Sequence, residues 1–278
     1  MKNISTIDYQ TLDRPEVLMF LFHPRPESTD PFSKTADPGK RASRQKDILI
    51  PVQDDIAIGA RFHMAEKTDG NLLFFHGNGE IVADYDELGA VYNQSGINFL
   101  AVDYRGYGRS GGKPTVTAMM QDCHIIFHFV RKRLQQNNFA GPLILMGRSL
   151  GSASVLELAA AYKNLIDGLI VESGFAYAGP LLALLGIDFA ALGFKEEKGF
   201  RNVDKIRNFD KPTLIIHAEF DHIIPYSDGQ ALHEACPSGN KKLLKIPGAN
   251  HNDIFMRGFQ EYLAAVKDIV ETAKRANL

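Results

Sequence analysis

From Ile48 onward the chain alternates short apolar runs with helix-like stretches, and this rhythm leaves few folds open. Leu72 to Phe75, Asn98 to Val102, Leu143 to Met146, Gly168 to Val171, Thr213 to His217 and Lys241 to Ile246 read as strands. Most are unbroken apolar runs bounded by turn formers, the pattern of parallel strands buried on both faces. Helix-like segments stand at Asp84 to Ser95, Thr117 to Gln136, Leu150 to Ala161, Ser227 to Ala235 and from Ile254. Such βα alternation specifies a mostly parallel sheet with helices on both faces, an α/β domain. Ahead of it, Ile48 to Val52 and Ile56 to His63 alternate well enough to form an antiparallel pair at one sheet edge. Residues 1–46 are polar and punctuated by Pro24, Pro26, Pro31 and Pro38. They read as an N-terminal extension, partly ordered, with Leu18 to Phe22 docking on the domain formed by 47–278. At 278 residues the chain is long enough to bury the core of one such domain.

Ligands of open α/β sheets bind beyond the carboxyl ends of the strands, and the polar motifs of this chain fall there. Gly147-Arg148-Ser149-Leu150-Gly151 lies between the run Pro142 to Met146 and the helix-like run that follows. A G-x-S-x-G pattern is weak alone but specific between strand and helix. The turn strains the serine and exposes its hydroxyl, and the glycines permit close packing. A serine hydroxyl needs a base, and the base an orienting acid; with this elbow they follow in the order acid, then histidine. Four histidines come later: His217 inside a strand, His222 and His233 in surface-like settings, and His251 in the loop after the last strand. His251 is the favoured base. Asp221, in the loop after Thr213 to His217, is the favoured acid, with Glu219 and Glu172 as rivals. The amide of Leu150 supplies one oxyanion donor. The second comes from the glycine-rich loop His76-Gly77-Asn78-Gly79-Glu80, at Asn78 or, failing that, Gly79. His76 reads as a brace for that loop.

The remaining motifs narrow the chemistry. Asp103-Tyr104-Arg105-Gly106-Tyr107-Gly108-Arg109-Ser110-Gly111-Gly112 lacks both the Walker ending and the G-x-G-x-x-G spacing, so it reads as a structural loop beside the pocket. Cys123, His124 and His128 contain an i, i+4 histidine pair, but no H-E-x-x-H is present and no metal is expected. A formal net charge of −2 offers no basic excess for nucleic acid. Cys123 and Cys236 lie in different elements, which argues against a disulfide and for a reducing cytoplasm. Val17 to Phe22 is too short for a signal-peptide core or a membrane anchor. The insertion at about 174–208 carries Pro180 to Ile187, which over the strand ends would form a short helical lid with an apolar underside. The alternative is an added helix packed on the core.

With these motifs in order, the chain resembles the α/β-hydrolase superfamily over roughly residues 48–276. Within it, the chain is most similar to the short-lid serine hydrolases that include the eukaryotic α/β-hydrolase-domain depalmitoylases and esterases. The likeness is carried by His76-Gly77-Asn78-Gly79, Asp103-Tyr104-Arg105-Gly106-Tyr107-Gly108 and Gly147-Arg148-Ser149-Leu150-Gly151, followed by Asp221 and His251. It implies an eight-stranded sheet, hydrolysis of ester, thioester or amide through an acyl-enzyme without a cofactor, and Ser149, Asp221 and His251 as the triad. The chain has no cysteine-rich N-terminus of the depalmitoylase kind, so a lipidated-protein substrate is not implied. Ser149 replaces the nucleophilic Asp of dehalogenases and epoxide hydrolases, and the chain has no Trp for halide.

The expected activity is therefore hydrolysis of a carboxylic ester or thioester with a small or medium acyl group. Two other readings stand beside it: a serine peptidase or amidase, and a non-catalytic ligand-binding protein that keeps the fold.

Overall fold

A computed structural model describes residues 7–28, 45–184, 186–187 and 193–276. The first hairpin, β1 (Gln45–Gln53) and β2 (Ile56–His63), is antiparallel, and β2 continues antiparallel onto β4 (Ile97–Val102). β3 (Gly70–Phe75), β5 (Leu143–Arg148), β6 (Gly168–Glu172), β7 (Thr213–Ala218) and β8 (Lys241–Ile246) complete an eight-stranded sheet. Its order is β1-β2-β4-β3-β5-β6-β7-β8, and every neighbouring pair from β4 to β8 is parallel.

All the residues of β3, β4, β6 and β7 are buried, as expected for strands covered on both sides. Side chains alternate between two cores because the strand period is two. Leu73, Phe75, Leu145 and Val171 face one core, and Leu72, Phe74, Met146 and Ile170 face the other. The helices are α1 (Pro15–Leu21), α2 (Asp86–Gln94), α3 (Val116–Gln136), α4 (Gly151–Tyr162), α5 (Ala178–Leu184), α6 (Asn202–Ile206), α7 (Tyr226–Ala235), α8 (Ile254–Arg257) and α9 (Phe259–Ala276). α3 and α4 pack into the first core, and α9 places Tyr262, Val266, Ile269 and Val270 in the second. The single helix expected from Ile254 is split at Gly258. A Cβ there would stand 2.7 Å from Cδ1 of Ile246, so the chain passes close to the Ile246 side chain of β8.

The described part of the N-terminal segment is built into the body. Tyr9, Leu12, Val17, Leu21 and Phe22 join the first core, while Met19 on α1 is exposed. Lys205 on α6, fully buried, ties this segment down: its Nζ lies 2.7 Å from Glu157 Oε2 and donates to Tyr9 Oη at 3.0 Å. Burial opposes the charge on Glu157, but bonds from His124, Lys205 and Tyr9 hold its carboxyl down at about 2. Because that folded value lies below the unfolded one, the pair stabilises above about pH 4.3, and the contribution disappears as pH falls toward 2. Lys205→Met should cost about 3–5 kcal/mol, since it leaves a mostly buried carboxylate without its cation. Denaturant unfolding of the two proteins at neutral pH checks this, and a loss under 1 kcal/mol would count against it.

Between β6 and α6 the chain forms α5 and a short 3₁₀ turn at Glu196–Lys198. Glu196 caps the start of α5 through the amides of Ala178 and Gly179. Leu182 and Ile187 are buried, whereas Tyr177 and Leu184 are exposed. Leu185 and residues 188–192 of the expected lid lie outside the described residues.

Candidate active site

Ser149 stands in the tight turn between β5 and α4. Its φ is 50°, a left-handed conformation that costs a non-glycine residue about 1–3 kcal/mol. The turn is held from both ends: the Ser149 amide donates to the Glu172 carbonyl at 2.8 Å, and its carbonyl accepts from Ser152 Oγ at 2.6 Å. Packing leaves no room for side chains at the flanking glycines. A Cβ on Gly151 would lie 2.1 Å from the Phe75 carbonyl oxygen, and one on Gly147 would lie 2.4 Å from that of Gly151.

The histidine and the acid arrive from the loops after β8 and β7. His251, in the loop between β8 and α8, accepts from Ser149 Oγ–H at Nε2, 3.0 Å away. Its Nδ1–H donates to Asp221 Oδ2 at 2.7 Å. Asp221 Oδ1 accepts the amides of Ile223 and Ile224 at 3.0 and 2.8 Å. Burial disfavours the Asp221 charge, yet the His251 bond and these two amides hold its carboxyl below the ordinary aspartate range. His217 is a core residue whose Nε2–H donates to the Ile224 carbonyl at 2.8 Å, so it steadies the Asp221 turn. Burial pushes its imidazole toward the neutral form. Neither rival acid reaches His251 Nδ1. Glu219 is bonded to Lys245 and the Gly248 amide, and Glu172 to the Tyr262 hydroxyl. His222 is exposed and His233 half-buried.

The oxyanion candidates sort by what their amides already do. Among the described residues, the amides of Leu150 and Asn78 donate to no protein atom, and Leu150 adjoins the positive end of α4. Gly79 N–H lies toward the Tyr107 hydroxyl, and Gly79 remains the alternative second donor. The Asn78 side chain is gripped on all sides. Oδ1 accepts from the His23 amide and Tyr107 Oη, both at 2.7 Å, and Nδ2 donates to His23 Nδ1 at 2.9 Å. His76 is buried against Asp103, and Tyr104 Oη donates to its carbonyl. The Asp103–Gly112 loop thus braces the loop after β3. His124 and His128 share the Tyr162 hydroxyl at 3.0 and 3.1 Å rather than converging with Cys123.

Sequence reasoning passed over Arg148, Glu80 and the role of Glu172. Arg148 forms ion pairs with Glu80 and Glu172, and its Nη2–H donates to the His251 carbonyl at 2.8 Å. Burial opposes the Glu80 charge, but Arg148 and the Tyr85 hydroxyl hold its carboxyl below the ordinary glutamate value. Burial pushes Glu172 above it, against Arg148 and Tyr262. The signal lay in a charged residue inside an otherwise apolar strand end, which requires a buried partner.

Known proteins share this architecture. A family model described as "Serine aminopeptidase, S33" matches residues 66–192, and one described as "alpha/beta hydrolase fold" matches residues 174–257. The chain is 33% identical over 246 residues to the α/β hydrolase domain-containing protein 17B of Homo sapiens, covering 82% of this chain and 77% of that protein. It is 32% identical over 206 residues to protein 17C of Xenopus laevis, covering 72% of this chain but only 60% of the frog protein's length. Among solved structures, Est1E of Butyrivibrio proteoclasticus with ferulic acid bound superimposes with a TM-score of 0.67 at 21% identity, covering 82% of this chain and 99% of that one.

Proposed function

This chain belongs to the α/β-hydrolase superfamily, and on that premise we propose that it is a serine hydrolase cleaving a carboxylic ester or thioester through an acyl-enzyme on Ser149. The observation that carries this reading is the bonded series Ser149 Oγ, His251 Nε2, His251 Nδ1, Asp221 Oδ2, at 3.0 and 2.7 Å, at the carboxyl ends of the strands. His251 takes the hydroxyl proton as Oγ attacks the acyl carbon. The charge that develops on the carbonyl oxygen is met by the amides of Leu150 and Asn78. The leaving alkoxide or thiolate departs with the proton from His251. Water then repeats the attack on the acyl-enzyme, with His251 again as base. Asp221 keeps the imidazole in the tautomer that presents a bare Nε2 to Ser149.

The substrate in this reading is a small molecule with a small or medium acyl group, reached beneath a lid formed by α5 and its flanks. The exposed Tyr177 and Leu184 supply apolar surface in that segment. The free, buried Cys123 and Cys236 suit a reducing cytoplasm. A peptidase or amidase is the second reading, favoured by the aminopeptidase description of the model over residues 66–192. Purified protein assayed on nitrophenyl esters of short and medium acyl chains, with the matched anilides alongside, separates the two. Faster turnover of the esters is the expected outcome. A preference for the anilides moves the assignment to amide cleavage, and no turnover of either class overturns both.

A further inference from the structure

Arg148 lies immediately before the nucleophile, with only 12% of its side chain exposed, and no proposed chemical step uses it. Its donors are divided among three separate elements. Nη1 pairs with Glu80 Oε1 in the loop after β3, Nη2 donates to the His251 carbonyl in the loop after β8, and Nε lies 3.2 Å from Glu172 Oε1 at the end of β6. Each partner is anchored in turn. Glu80 Oε2 accepts the Gly77 amide at 2.6 Å and the Tyr85 hydroxyl at 2.5 Å, and Glu172 Oε2 accepts the Tyr262 hydroxyl at 2.7 Å. One guanidinium therefore joins the backbone of the base to the loop that carries the Asn78 amide.

We infer that Arg148 is a positioning residue that holds the His251 loop and the Gly77–Glu80 loop in register with Ser149. The inference rests on the serine-hydrolase reading above.

A buried ion pair serving stability alone gains little over apolar packing, and Arg148 does more than pair the ends of β5 and β6 through Glu172. It bridges two loops whose relative placement sets both ends of the reaction: the base at the hydroxyl and the amide at the oxyanion. A guanidinium spreads five donors over a rigid planar fork, whereas an ammonium gathers three on one atom of a flexible stem and holds its partners less firmly apart.

The test uses variants of the whole chain, with labelling rates by a fluorophosphonate normalised to folded protein. Arg148→Lys keeps the charge and loses the fork. The labelling rate constant and kcat should fall about 100-fold with KM nearly unchanged, as expected for misplaced reacting groups. Glu80→Gln should lower the same constants less, and the double variant should be no slower than Arg148→Lys alone, because both cut one network.

If wild-type protein takes no label, the hydrolase reading fails and this inference falls with it. If the wild type labels and folded Arg148→Lys labels at the same rate, the inference alone is overturned. Should Arg148→Lys fail to fold, the kcat-against-KM split in Glu80→Gln decides.

Discussion

Ser149→Ala should hydrolyse acyl esters about 10⁶-fold more slowly than the wild type while unfolding at the same temperature or slightly above it. The side chain lost is small, and its one bond is to His251 Nε2 at 3.0 Å, so the fold loses almost nothing. What disappears is the atom that the proposed reaction acylates. Residual turnover would come from water held near His251 and the two oxyanion amides, the part of the site that does not depend on the hydroxyl. Two measurements check this: kcat/KM on an ester, and intact mass after a fluorophosphonate, where the wild type should gain one adduct and the variant none. An adduct that persists in Ser149→Ala would place the nucleophile elsewhere and sink the assignment.

Asp221→Asn should cost about 10⁴-fold in kcat, and the reason is tautomeric rather than steric. Oδ1 of Asp221 accepts two backbone amides, those of Ile223 and Ile224, so the Asn carbonyl is drawn to that position. The amide NH₂ then faces His251 Nδ1, which must accept instead of donate. The ring proton moves to Nε2, where it points at Ser149 and blocks proton abstraction. Placing the carbonyl toward His251 instead would set the NH₂ against two N–H donors and lose both turn bonds. kcat measured from pH 6 to 9, with thermal unfolding alongside, tests the idea. A folded variant within tenfold of the wild type would show that the His251–Asp221 bond does not matter to the rate.

The two cases differ in how they could be read from the chain. Ser149 was legible because its turn needs glycine on both sides: Phe75 and Gly151 backbone atoms stand where Cβ atoms would go. His251 and Asp221 were legible by loop position, since β7 and β8 are well-marked runs and each loop offered few ionisable groups. The parallel strands were legible because burial on both faces removes the polar alternation that confuses strands with loops. Less was visible of the N-terminal segment. Its prolines and polar residues suggested an extension docked only through Leu18 to Phe22, yet Tyr9, Leu12 and Val17 are core residues as well, and His23 grips Asn78. Those contacts pair residues some 55 positions apart, and no local pattern encodes them.

What the sequence determined by itself was the sheet, the elbow and the order in which reactive groups return to it. All three follow from short-range rules: strand period, turn sterics and the alternation of buried runs. The tertiary structure alone decided which amides remain unengaged at the mouth, and that Arg148 joins two loops and the end of β6 under the site. Those outcomes depend on where distant loops meet, and a buried charge can take any opposite charge or carbonyl that folding brings within reach.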